Sequence, residues 1–294
     1  MLLPRLQVAA AALLFSTGGV VIKSSALASW QIASYRSAVA ALVMLALVPR
    51  AARAIDRRTW LVGLAFGATL VLFTLANKAT TAAHAVFLQN TAPLYLLLLA
   101  PWLLGERVRR RDLARMALLG LGMALMLGGG DAATATAPAP LYGNLLGAAT
   151  GACWALTVLG LRWLGRAGGD AALRTAGAVV AGNAVACLLT LPRALALPVA
   201  PRPADLLIVV YLGAVQIALA YVFLNAGVRR VPALEASLLL LLEPVFGTFW
   251  AWLVHGEAPS AISLAGAALI LLATAAQAAP RAAAAPIGTG RRDG

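Results

Sequence analysis

The sequence predicts an all-α membrane protein of ten transmembrane helices arranged as two inverted five-helix repeats, and three observations carry that expectation. Of 294 residues, 62% are hydrophobic and 11% charged, against roughly 45–50% and 25% in a soluble domain. Apolar runs, each near the roughly 20 residues that a helix needs to cross a hydrocarbon core about 30 Å thick, follow one another with short breaks. The basic residues collect in every second break, as in a membrane protein oriented by its cytoplasmic charges.

In chain order the apolar runs place helices at 6–24, 30–49, 60–78, 81–104, 112–129, 141–163, 171–191, 205–227, 232–254 and 260–278. The first run imitates a secretory signal peptide, with Arg5 before it and Ala26-Leu27-Ala28 after it. Its length and the interruption at Lys23 favour a retained helix, as does the symmetry that its loss would spoil. The expected organisation is a first repeat over 1–130, a second over 141–279, and a disordered tail of Ala, Gly, Pro and Arg over 280–294.

With the N-terminus inside, eighteen basic residues fall on the cytoplasmic side, among them Arg50, Arg53, Arg57, Arg58, Arg109, Arg110, Arg162, Arg229 and Arg230. Only Lys23, Lys78, Arg193 and Arg202 fall outside. This asymmetry predicts a multi-pass protein of the bacterial inner membrane with both termini cytoplasmic. The net charge of +13 is explained by it, and no nucleic-acid recognition motif accompanies the charge, so nucleic acid is not an expected partner. The lipid bilayer is. Cys153 and Cys187 lie in apolar runs with no CxxC spacing, and His84 and His255 are the only histidines, so neither a metal nor a cofactor is expected.

A repeat emerges at an offset of 151 residues: Leu104-Gly105-Glu106 answers His255-Gly256-Glu257, and Leu113-Ala114 answers Leu264-Ala265. Five spans per half is an odd number, so the halves cross the membrane in opposite senses. Basic residues follow the first Gly-Glu turn and not the second, in agreement. Inverted repeats place substrate at the midplane between the halves.

Several motifs then resemble the EamA family of the drug/metabolite transporter superfamily. They are Leu242-Glu243-Pro244-Val245, Ala251-Trp252-Leu253 and Gly256-Glu257, with a degenerate first-half version from Ala92-Pro93 to Gly105-Glu106 and Tyr35-Arg36 in the second span. The resemblance implies a carrier of two five-helix repeats that exports amino acids, other metabolites or drugs. It leaves the cargo open, and Glu243 has no acidic counterpart in the first half, where Asn90-Thr91-Ala92 stands.

Ionisable groups within a membrane are costly and mark functional candidates. Arg36 lies about 9 Å into the second span at 1.5 Å per residue, suited to a substrate carboxylate or to snorkelling to the surface. Glu243 precedes Pro244, whose missing N–H frees a carbonyl one turn earlier, and a protonatable carboxyl there permits proton coupling as well as a structural role. His84, Thr91 and Tyr95 share one face of the fourth span, with Gln89 and Asn90 off that stripe. Thr150, Trp154 and Thr157 share a stripe on the sixth, Asn183 is polar on the seventh, and Gln216, Tyr221 and Asn225 on the eighth. The expected substrate-binding set is Arg36, His84, Asn90, Tyr95, Trp154, Asn183, Gln216 and Tyr221, though polar side chains also hold helices together. Trp250 and Trp252 read as interface anchors, Glu235 as support for a helix N-terminus, and Glu106 and Glu257 as loop or packing residues. The glycines Gly18, Gly19, Gly63, Gly67, Gly120 and Gly122 suit close helix approach. The fifth and tenth spans carry so few polar groups that lipid or a partner should cover them.

An intramembrane enzyme needs a nucleophile with its base, paired aspartates or a metal cluster, and the sequence offers none. A channel needs a continuous polar lining or a charged ring, whereas the polar residues cluster by helix. The expectation is therefore an alternating-access exporter of small amphipathic metabolites, an amino acid fitting best and a multidrug or toxic-cation efflux carrier second. Oligomeric state is left open by the sequence, which is compatible with a monomer.

Overall fold

The computed structural model describes residues 2–104, 110–129, 132–166, 170–198 and 200–278. The turn at Gly105-Glu106 and the tail 280–294 lie outside the described residues. All regular structure among the described residues is helical. Among the described residues eight stretches are long and apolar enough to cross a membrane: Leu2–Ser24, Ser29–Leu47, Arg57–Ala79, Ala82–Leu99, Pro140–Arg166, Ala171–Ala196, Pro203–Val228 and Glu235–His255.

Several of these stretches are broken. The first comprises α1 (Leu2–Ser16) and α2 (Gly18–Ser24), jointed at Thr17, whose hydroxyl turns back onto the Leu14 carbonyl at 2.8 Å. After α3 (Ser29–Leu47) and a short 3-10 turn, Pro49–Ala54, comes α4 (Arg57–Ala79). Asp56 caps it, accepting the N–H groups of Arg58 and Thr59 at 2.9 and 2.8 Å. The fourth span is α5 (Ala82–Gln89) and α6 (Ala92–Leu104), separated at Asn90-Thr91. The ninth repeats that design as α12 (Ala233–Leu240) and α13 (Leu242–His255), separated at Leu241. Pro93 and Pro244, which lack the N–H that a continuous helix needs, stand just after the two breaks, at the same 151-residue offset as the Gly-Glu turns.

The remaining elements are α7 (Arg110–Gly128), α8 (Pro140–Arg166), α9 (Ala171–Ala196), α10 (Pro203–Val210), a π-helical segment Tyr211–Leu219, α11 (Ala220–Val228) and α14 (Ala261–Ala278). Arg110, Asp112 and Arg115 occupy the start of α7, leaving its apolar stretch shorter than those of the eight long helices. Instead of standing alone against lipid, α7 and α14 pack on each other. Their backbones meet where a Cβ on Gly122 would lie 2.8 Å from the Gly266 carbonyl, and one on Gly266 2.6 Å from that of Gly122. Gly120, by contrast, has nothing within 4 Å of such a position and makes no close approach.

The halves are packed into one another. α4 lies against α8 and α9, α3 against α9 and the π-helical segment, and α1 against α11, α12 and α13. The largest apolar core joins Met44, Phe66, Leu70, Val179, Val180, Ile217 and Tyr221 from α3, α4, α9 and the eighth span. Within a membrane, where lipid is as apolar as these side chains, tight van der Waals packing rather than escape from water holds the halves together.

Candidate functional site

A cavity of about 260 Å³ lies between the halves. Its polar wall begins with Arg36, 1% exposed on α3. The guanidinium stays inside the protein, Nη2 donating to the Leu70 carbonyl at 2.8 Å, while Nε has no hydrogen-bond partner. Arg36 does not snorkel. Its backbone meets the eighth span at Gly213, where a Cβ would come within 2.5 Å of the Arg36 carbonyl oxygen. That contact requires glycine and sets the π-helical segment directly over α3.

The π-helical segment carries Gln216, whose amide also lines the cavity. A π turn widens the helix and re-aims its side chains, which is why such turns recur at functional sites. Gln216 passes over Gly18: a Cβ there would lie 2.7 Å from the Gln216 amide nitrogen. Its Oε1 is buried without a partner, so the amide is a hydrogen-bonding group held at the cavity and left unused by the fold.

The two helix breaks complete the polar wall. Gln89 and Asn90 enter from the break between α5 and α6, and Leu240, Leu241 and Glu243 from the break between α12 and α13. The Asn90 amide nitrogen donates to the Val86 carbonyl at 2.9 Å, satisfying a carbonyl near the end of α5. Glu243 makes no hydrogen bond or ion pair among the described residues. A guanidinium and a carboxylate therefore border the same cavity without neutralising each other.

The rest of the wall is aromatic. Tyr221 stands edge-on to Phe15 and to Phe66, with ring centroids 5.2 and 5.4 Å away, and Trp154 lies 6.3 Å from Phe66. These are the separations favoured by aromatic quadrupoles. Phe73, Thr69, Ile217 and Leu224 fill out this wall, and Ser237 and Thr274 add hydroxyls. A chamber with apolar walls and a few placed polar groups is the general form of a small-molecule site.

The cavity thus gathers Arg36, Asn90, Trp154, Gln216, Tyr221 and Glu243 of the residues singled out in the sequence. His84, Tyr95 and Asn183 are not among its lining. His84 is fully buried, with Nδ1 2.7 Å from the Thr81 hydroxyl and Nε2 3.1 Å from that of Ser263. The Tyr95 hydroxyl points to the Met123 sulfur at 3.7 Å. α5 runs unbroken from Ala82 to Gln89, and at about 100° per residue Gln89 falls nearly opposite His84; the stripe of His84 and Tyr95 faces neighbouring helices, and the off-stripe residues Gln89 and Asn90 border the cavity. Asn183 donates within α9 to the Val179 carbonyl at 2.9 Å, where α9 packs on α4.

Other expectations shift as well. Trp250 donates to the Ser16 hydroxyl at 3.1 Å and so turns toward α1, whereas Trp252 is 56% exposed. Glu235 forms a two-pronged ion pair with Arg5, at 2.5 and 3.2 Å, rather than serving the helix end alone. Phe15, Phe66 and Phe73 gave no sign in the sequence, because apolar residues in an apolar helix have no distinguishing neighbour. Thr274 puts α14, the tenth span expected to face only lipid or a partner, at the cavity wall. Among the described residues no group of three or more His, Cys, Asp or Glu side chains converges as a metal site requires.

Comparison with known proteins agrees with this architecture. One solved crystal structure superposes with a TM-score of 0.61 at 22% sequence identity, covering 93% of this chain and 96% of the other. At that identity the likeness shows the fold alone. No curated protein matches the sequence. The sequence model of the EamA-like transporter family matches residues 4–128 and again 141–276, two successive units that together span most of the chain. The chain, a multi-pass helical protein with a central amphipathic cavity, belongs to the EamA-like transporter family, membrane transporters of the drug/metabolite transporter superfamily.

Proposed function

We propose that the protein exports small amphipathic metabolites, amino acids above all, across the bacterial inner membrane by alternating access. In this reading ten helices cross the membrane, α7 and α14 among them, as inverted repeats over 1–130 and 141–279, with both termini cytoplasmic. The observation that carries the proposal is the cavity between the halves, bordered by both helix breaks and holding an unneutralised guanidinium and carboxylate. Discontinuous helices at a repeat interface are where inverted-repeat carriers bind their cargo. A zwitterion answers both charges: its carboxylate meets Arg36, its ammonium meets Glu243 or the Gln216 amide, and its side chain packs on Trp154 and Tyr221. Asn90 adds a further polar contact.

A second reading draws on the same chamber. The rings of Phe15, Phe66, Tyr221 and Trp154 facing the Glu243 carboxylate suit an organic cation, as in multidrug or toxic-cation efflux. Arg36 opposes that cargo.

Uptake and release of labelled amino acids by proteoliposomes, with and without a pH gradient, tests the proposal against a labelled quaternary ammonium compound. Amino-acid transport is expected, and Arg36→Met lowers apparent affinity about 10–100-fold, the effect of losing a hydrogen-bonded charge pair. No movement of any amino acid refutes the cargo, and transport of the quaternary ammonium alone selects the second reading.

A further inference from the structure

Beyond one end of the cavity the chain builds a closed polar layer. Lys23, at the end of α2, and Glu257, in the turn after α13, form an ion pair at 2.8 Å, with side chains only 2% and 3% exposed. Lys23 Nζ also donates to the carbonyl of Thr80, at 2.7 Å, and to that of Thr136. The second Glu257 oxygen accepts the Ala82 N–H at 2.8 Å. The pair therefore spans the two matched units, Lys23 and the α4–α5 turn belonging to the first and Glu257 to the second.

Glu257 is delivered by the fold. Gly256 takes φ +66°, a left-handed conformation natural to glycine, and the Gly256 and Glu257 N–H groups close back on the Trp252 and Ala251 carbonyls. This left-handed C-cap turn brings the carboxylate onto the start of α5, where it meets the Ala82 N–H. Below the layer, the cavity begins only at Arg36 and Phe73, well inside the ends of α3 and α4, and runs on to Leu224 and Ser237, midway along the short helices α11 and α12 and nearer the other face. The face carrying Lys23 is thus the sealed one.

We propose that the Lys23–Glu257 pair is a latch that closes one face of the transport path and must break for the cavity to open there. A buried pair suits this use. Its members satisfy each other only while the halves touch, and separating them is tolerable only when water enters between them. The latch rests on the family assignment and is independent of the cargo.

The test uses the full chain in liposomes, with Cys153 and Cys187 replaced by Ala and Phe73→Cys as reporter. A membrane-impermeant maleimide is applied from either side. Glu257→Gln, which keeps an acceptor for the Ala82 N–H, is expected to raise labelling from the Lys23 face about tenfold, within the usual range of coupling between conformations, and to lower it from the other face. Lys23→Met behaves alike, and the double variant adds little to either single one. Unchanged labelling overturns the latch, and so does labelling raised equally from both faces, which signals loosened packing. Because the readout is accessibility, it stands whether or not an amino acid is the cargo.

Discussion

Gly182→Ala tests how helix packing sets the shape of the cavity. On α9, a Cβ at residue 182 would lie 2.4 Å from Phe66 Cδ1, 2.9 Å from its Cβ and 3.0 Å from its Cγ. Carbon atoms rest at about 3.5–4.0 Å, so the added methyl must move the ring, or the helix, by about 1 Å. Phe66 has little room behind it, being 3% exposed, and in front it meets Tyr221 at 5.4 Å and Trp154 at 6.3 Å. The ring is therefore pushed into a chamber of only about 260 Å³. Overpacking of this kind costs about 1–3 kcal/mol, visible as a lowered midpoint in a thermal unfolding assay of the purified protein. The functional effect is selective: transport of the bulkiest cargo in a graded series falls about tenfold or more relative to the smallest, the discrimination expected for roughly one methylene of lost pocket space. An unchanged unfolding midpoint together with an unchanged size profile would refute the placement of Phe66 between α9 and the cavity.

Two further outcomes follow from other parts of the structure. Asp56, outside the membrane spans, has its carboxyl held below the usual range by the Thr59 and Arg58 N–H groups it caps, with Arg174 adding attraction. A depressed folded pKa means its contribution is present above the ordinary carboxylate pKa and is lost as pH falls through the lowered one. Asp56→Ala therefore lowers the unfolding midpoint at neutral pH and flattens its decline in acid, and identical acid profiles for both proteins would contradict the cap. Glu243→Gln is expected to abolish accumulation driven by a pH gradient, with downhill exchange weakened but still measurable; full gradient-driven transport by this variant removes the proton-carrier role.

The legible part of the site was its charge. Arg36 and Glu243 stood out because an ionisable group in an apolar helix has no inexpensive explanation, and both border the cavity. The uncharged residues were less readable. A helical stripe shows which residues share a face but not which way that face turns: His84 and Tyr95 meet neighbouring helices, while Asn90, off the stripe, borders the cavity. Aromatic residues such as Phe66 carry no polar signature, so only the approach of α9, permitted by Gly182, shows that they form a wall. Likewise Lys23 read as an external charge at the end of the first span and Glu257 as a loop or packing residue 234 positions away, and their pairing depends on how the halves meet.

What the sequence alone determined is the solvent of this protein and the order of its parts. An apolar, sparsely charged chain has to bury its backbone in helices within lipid, and two matching sets of turns and prolines imply two units. Where the cavity lies, which side chains enter it and which face is sealed were decided only by the tertiary structure. Those outcomes depend on which way each helix face turns and on backbone approaches at single glycines, and both are set by contacts between distant segments that no local pattern records.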